Sequence, residues 1–190
     1  MCLALEEVHA NDVMHKKFDP SHVMIEKDTN IVKVIGFSAL HEMNHEGSVV
    51  YDSTDKVAPF EVIDGKGKTQ AADVWALGIM LYTMCNGNFP FKNINDVEEN
   101  KKFITSGDFL EMDGISNKSE TIKRVLKGAL TETPDARMSI VQLRGLLKDE
   151  VEQELKRAEF IKAFEHSSMN RLLLDEKYDL YKLVVSEEQA

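Results

Sequence analysis

The sequence predicts a mainly α fold carrying one small β-hairpin, and three patterns carry that expectation. The stretch from Asp73 through Val74, Trp75, Ala76, Leu77, Gly78, Ile79, Met80, Leu81 and Tyr82 to Met84 is apolar on every side, the mark of a helix buried at a domain centre. Helix-period segments separated by Gly, Pro, Ser and Asn follow it. The β-rich runs, by contrast, are short: 23–25 and 31–35, joined by the polar turn Glu26-Lys27-Asp28-Thr29-Asn30.

In chain order, residues 3–10 read as the end of an amphipathic helix with Leu3, Leu5 and Val8 on one side. No capping residue stands ahead of it, as expected of a truncated element. The hairpin comes next, and then a polar stretch over about 40–57, rich in Ser, Thr, Asn and His, that reads as a long surface loop. Asp73 opens the central helix, Asn86-Gly87 stops it and Pro90 follows. Further helices are expected near 95–106, 119–130 and 139–147, the last two parted by Thr131-Glu132-Thr133-Pro134-Asp135. From 148 to 166, Val151, Leu155, Ala158, Ile161 and Phe164 form one apolar stripe on a highly charged helix. The run 178–185 has strand character. Two regions follow: a lobe over 1–147, and a helix and tail over 148–190 as an interaction segment.

Of the 190 residues 43% are hydrophobic, enough for one well-cored domain. A formal net charge of −10 argues against nucleic acid and anionic membrane as partners. No run has the apolar length of a membrane span, and the N-terminus lacks the basic flank of a secretory signal. Two cysteines make no disulfide framework; Cys85, in an apolar run, reads as a buried thiol. The expected setting is cytoplasmic.

Six motifs carry more. They are His15-Lys16-Lys17-Phe18-Asp19-Pro20-Ser21-His22, Ile35-Gly36-Phe37-Ser38, Pro59-Phe60-Glu61, Asp73-Val74-Trp75-Ala76-Leu77-Gly78, the run Tyr82 to Phe91 and Pro134-Asp135-Ala136-Arg137-Met138-Ser139. In this order and spacing the chain resembles the C-terminal lobe of a protein kinase over about 3–147, most like the calcium/calmodulin-dependent type. The first two motifs stand where that family has H-R-D-x-K-P-x-N and D-F-G.

The resemblance implies a mainly helical kinase C-terminal lobe with one small hairpin and no N-terminal β lobe, since no glycine-rich strand or strand lysine precedes the loop. It assigns scaffold roles to His15, Phe37, Glu61, Asp73 and Arg137. Glu61 is expected to pair with Arg137, Asp73 to accept from the loop around His15 and Lys16, and Phe37 to pack with His15 on the central helix. It also implies that the reacting positions are changed. Lys17 stands where the family has its base, and an ammonium has no lone pair to take a proton. Asp19 replaces a lysine that meets phosphate. His22 and Gly36 replace the two magnesium ligands, and Ser38 replaces a glycine.

On this basis the chain is expected not to be an enzyme. It reads as a pseudokinase that uses no cofactor or metal and acts as a scaffold for other proteins, in a large complex or with an active kinase. The alternative is a fragment of a longer serine/threonine kinase or pseudokinase that binds ATP through a missing lobe. Ser53 and Thr54, beside Ser48 and Tyr51, are candidate phosphorylation sites. His41 and His45 lack a third metal ligand at suitable spacing, and the Asp64-Gly65-Lys66-Gly67-Lys68 stretch reads as a turn.

Overall fold

A computed structural model describes residues 1–29, 31–36, 41–42, 57–66, 69–93, 96–149 and 151–152. The chain divides into two compact units, Met1–Leu146 and Leu147–Ala190. Nearly all described residues lie in the first.

The first unit is mainly helical, as its hydrophobic periods require. Helix α1 spans Cys2–Ala10, followed by strand β1 at Val13–Met14. A hairpin of β2 (Val23–Ile25) and β3 (Val32–Val34) pairs antiparallel, with Val23 opposite Val34 and Ile25 opposite Val32. Strand β4, His41–Glu42, closes a second two-stranded pair on β1, with Met14 opposite His41. The helices then follow as α2 (Phe60–Ile63), α3 (Gln70–Asn86), α4 (Val97–Ser106), α5 (Asp113–Ser116) and α6 (Glu120–Ala129), and residues 140–149 form α7.

Helix α3 is the axis of the core. Val74, Trp75, Ile79 and Tyr82 are buried on it, along with most of their neighbours. Each large apolar side chain so buried contributes about 1.5–3 kcal/mol. Phe60 of α2 meets the Trp75 ring edge-on at 5.1 Å. Gly78 lets α6 come close: a Cβ there would lie 2.7 Å from that of Ala129 and 2.9 Å from Leu130 Cδ2. The helix ends at Gly87, whose φ of 75° is the left-handed cap that stops it.

Local chemistry sets the other boundaries. Asp96 accepts a hydrogen bond from Glu99 N at 3.1 Å and Ser119 from Ile122 N at 3.2 Å, so α4 and α6 each begin at a polar cap. Helix α6 then turns Val125, Leu126 and Ala129 into the core while its charged residues face outward.

Several expectations change. Leu3 is 68% exposed and Leu5 is buried, because residues two apart on a helix face opposite ways. Helix α3 starts at Gln70 rather than Asp73, since the Asp73 carboxylate is engaged by another segment. Cys2 and Cys85 are both free and half-buried; partial burial pushes each thiol above its usual range. The β1–β4 pair and the short helices α2 and α5 give too little period to be legible in sequence. Gly65, with φ of 72°, sits in the turn after α2, where Lys66 N donates to Glu61 O at 2.8 Å. Phe37, Ser38, His45, Ser48, Tyr51, Ser53, Thr54, Gly67 and Lys68 lie outside the described residues. So do most of the 40–57 stretch, the charged helix beyond 152 and the 178–185 run.

Candidate functional site

The site is built on the loop that leaves β1. Asp73, in the first turn of α3 and 3% exposed, holds it from below. Its carboxylate accepts from His15 N at 2.8 Å and Lys16 N at 3.1 Å, while His9 Nε2 lies 3.0 Å away. To aim both amides at one carboxylate, Lys16 adopts a φ of 73°, a left-handed conformation that costs about 1–3 kcal/mol in a non-glycine residue. His15 is fully buried, and its Nε2 lies 2.9 Å from Ile35 O, tying the loop to the end of the hairpin. Its ring meets Phe18 edge-on at 5.6 Å. Of the groups around the Asp73 carboxylate, His9 is the one without a motif signal in the sequence: it stands near the end of α1, outside the six motifs.

The positions facing solvent differ. Lys17 is exposed. Asp19 caps the 3₁₀ turn Pro20–His22, accepting from Ser21 N at 2.7 Å and from the Ser21 hydroxyl. His22 Nδ1 lies 3.1 Å from the same carboxylate. Partial burial pulls the Asp19 carboxyl upward, but the hydrogen bonds from Ser21 and His22 outweigh it and hold the group below the usual carboxylate range. Gly36 lies beyond β3 with φ of 87°, and the His22 ring stands directly over it.

A second anchor lies deeper. Arg137 Nη1 donates to Glu61 Oε1 at 2.7 Å and Nη2 to Oε2 at 3.1 Å, a two-pronged pair with both side chains buried. The same guanidinium donates to the Ala71, Thr131 and Glu132 carbonyls and stacks over Trp75 at 5.0 Å. It thus ties α2, the start of α3 and the turn after α6 together.

Magnesium, which the resemblance implies, does not fit the residues present. Gly36 offers no ligand atom, His22 offers nitrogen where a hard cation takes oxygen, and the His22 ring fills the space in front of residue 36. Among the described residues no three His, Cys, Asp or Glu stand together as a metal site.

Comparison with known proteins places this arrangement. The protein kinase domain family matches residues 1–146, and the chain belongs to that family. It is 30% identical over 145 residues to CBL-interacting protein kinase 10 of Oryza sativa subsp. japonica, covering 74% of this chain and 31% of that protein. It is 29% identical over 136 residues to the serine/threonine-protein kinase AtPK1/AtPK6 of Arabidopsis thaliana, covering 71% and 28%. Among solved structures it is similar to the twitchin kinase region of C. elegans, with a TM-score of 0.64, 29% identity and coverage of 75% of this chain and 25% of that one. The chain therefore spans about three-tenths of the length of these curated relatives.

One expectation is overturned. The chain was expected not to be an enzyme, yet its family is the protein kinase domain and its relatives are protein kinases by name, the Arabidopsis one a serine/threonine kinase. The expectation took changed loop residues as proof of lost activity. Base removal costs about 10²–10⁴ in rate, which is a reduction and not an abolition.

Proposed function

We propose that this chain is the C-terminal-lobe portion of a longer serine/threonine protein kinase, and that the whole protein transfers phosphate from ATP. The observation that carries this reading is the family match across 1–146 together with the loop held on Asp73. The hairpin supports it as well. Ile25 and Val32, paired across its strands on one face, are 66% and 40% exposed, an apolar pair suited to burial under a nucleotide-binding lobe. The likeness to the calcium/calmodulin-dependent type rests on the run from Tyr82 to Phe91. No helix among the described residues is long and apolar enough to cross a membrane, and a cytoplasmic kinase with protein substrates is the setting proposed.

Phosphoryl transfer proceeds through a loose transition state in which positioning and charge matter more than a base. The exposed Lys17 ammonium accepts no proton, so the substrate hydroxyl proton leaves to solvent or to the transferred phosphoryl group. The expected rate lies at least about 10²–10⁴-fold below that of a kinase with an intact base, because the magnesium ligands are replaced here as well. The test is transfer of labelled γ-phosphate to a serine/threonine peptide library by the purified longer protein. Slow transfer that disappears on Asp73→Ala supports the reading; a folded protein with no transfer above a blank overturns it.

A further inference from the structure

Residue 36 is glycine for a reason beyond its backbone. A Cβ built there would lie 2.1 Å from His22 Cδ2 and 2.9 Å from His22 Nε2, where non-bonded carbons need about 3.5–4.0 Å. The His22 ring therefore occupies the volume through which any side chain at 36 would leave the backbone. Nor does the ring swing aside freely. Its Nδ1 lies 3.1 Å from Asp19 Oδ1, and its edge faces His15 at 5.8 Å. The backbone around it is pinned too, because Ile35 N donates to His22 O at 2.9 Å and His22 N to Asp19 O at 3.0 Å.

Gly36 and His22 are thus one packing solution. Restoring a carboxylate at 36 with His22 in place would drive it into the imidazole, and the φ of 87° would strain it besides. The two positions at which the family resemblance puts metal ligands are filled by a ring and the gap made for it. Asp19, the carboxylate beside the His22 ring, is already engaged by the Ser21 amide and hydroxyl and by His22 Nδ1.

We propose that this loop holds no divalent cation, that the His22 imidazole occupies the space a ligand side chain at 36 would need, and that the protein engages nucleotide phosphate without a metal bridge from this loop. The phosphate-binding half rests on the reading of the chain as part of a nucleotide-using kinase; the ring-and-glycine half does not.

Two measurements test it. In the full chain, urea unfolding of Gly36→Ala, His22→Ala and the double variant forms a cycle. Gly36→Ala is expected to lower the midpoint sharply, and the double variant to recover part of that loss because the ring is gone. Additive effects overturn the packing.

In the longer protein, ATP affinity is measured with excess EDTA and with excess magnesium. The expected result is agreement within about twofold, with a metal dependence of about tenfold or more appearing in His22→Asn/Gly36→Asp. A loss of about tenfold on chelation of the unsubstituted protein overturns the proposal. Absence of ATP binding under both conditions overturns the kinase reading and the phosphate half with it, and the cycle then still decides the packing by itself.

Discussion

Replacing Glu61 with alanine strands a cation in the core. Arg137 is fully buried and makes two bonds to Glu61, at 2.7 and 3.1 Å, and three to carbonyls, at 2.8, 2.9 and 3.1 Å. Breaking a buried pair by deleting one partner costs about 3–5 kcal/mol, since the remaining charge is desolvated without its counterion. The three carbonyls and the Trp75 face still hold the guanidinium, so Glu61→Ala belongs near the lower end, about 3 kcal/mol. Arg137→Met removes the cation, takes a donor from three carbonyl oxygens and leaves a bare buried carboxylate, so it belongs near the upper end, about 5 kcal/mol. At about 2–4 °C per kcal/mol for a chain of this size, Glu61→Ala lowers the melting temperature by about 6–12 °C. Urea unfolding is the direct assay: the midpoint falls while the slope stays constant. The double variant Glu61→Ala/Arg137→Met should cost less than the sum of the singles, because neither charge is stranded. A loss below about 1 kcal/mol for Glu61→Ala would mean that water reaches the pair, and the reasoning would fail.

Other substitutions probe the remaining links. Asp73→Ala leaves the His15 and Lys16 amides without their acceptor and should cost about 3–5 kcal/mol; hydrogen exchange at those two amides should speed up, and unchanged protection would refute the anchor. Lys17→Asp returns a proton acceptor at an exposed position and should raise transfer by the longer protein at least about tenfold with little change in stability. Asp19 titrates below its unfolded value, so its contribution to stability is present above the unfolded value near pH 4 and is lost as pH falls through the lower folded one. Asp19→Asn should therefore flatten the acid limb of a stability–pH curve, and an unchanged limb counts against the Ser21 and His22 bonds. Ser119→Ala removes the α6 cap and should cost about 1 kcal/mol in thermal unfolding.

Much of the fold was legible because its strongest signals are burial signals. The all-round apolar run from Val74 to Met84 had no solution but a central helix, and the Gly87 stop sits at the observed left-handed cap. The entry to that helix was misread for a physical reason: Asp73 looks like a cap in sequence, but its carboxylate turns outward to the His15 and Lys16 amides and Thr69 takes the cap position. Strands of two residues, such as Val13–Met14 and His41–Glu42, carry no period to read. At the site, residue types revealed what each position could no longer do. That the His22 ring fills the space over Gly36 depends on two segments meeting across fourteen residues of chain, and no local pattern encodes it.

The division between kept and changed residues follows burial more closely than it follows chemistry. Asp73, His15, Glu61 and Arg137 are all buried, and replacing any of them opens a cavity or strands a polar group at several kcal/mol. Lys17 is exposed and Asp19 and His22 are partly so, and substitutions at such positions usually fall within about 0.5 kcal/mol. A chain that must only stay folded would lose the second group and keep the first. So would a chain whose phosphoryl transfer survives on positioning with a weakened base. The intact scaffold is therefore evidence for the fold, and it says nothing against catalysis. Gly36 and His22 separate the two histories better than Lys17 does. Drift at an exposed ligand position would leave a gap, whereas here the loss of one side chain is matched by a ring that fills its place and is held there by Asp19. A matched pair of this kind marks a loop with a defined structure of its own, which is why the metal dependence of ATP binding, and not the count of missing motif residues, is the discriminating measurement.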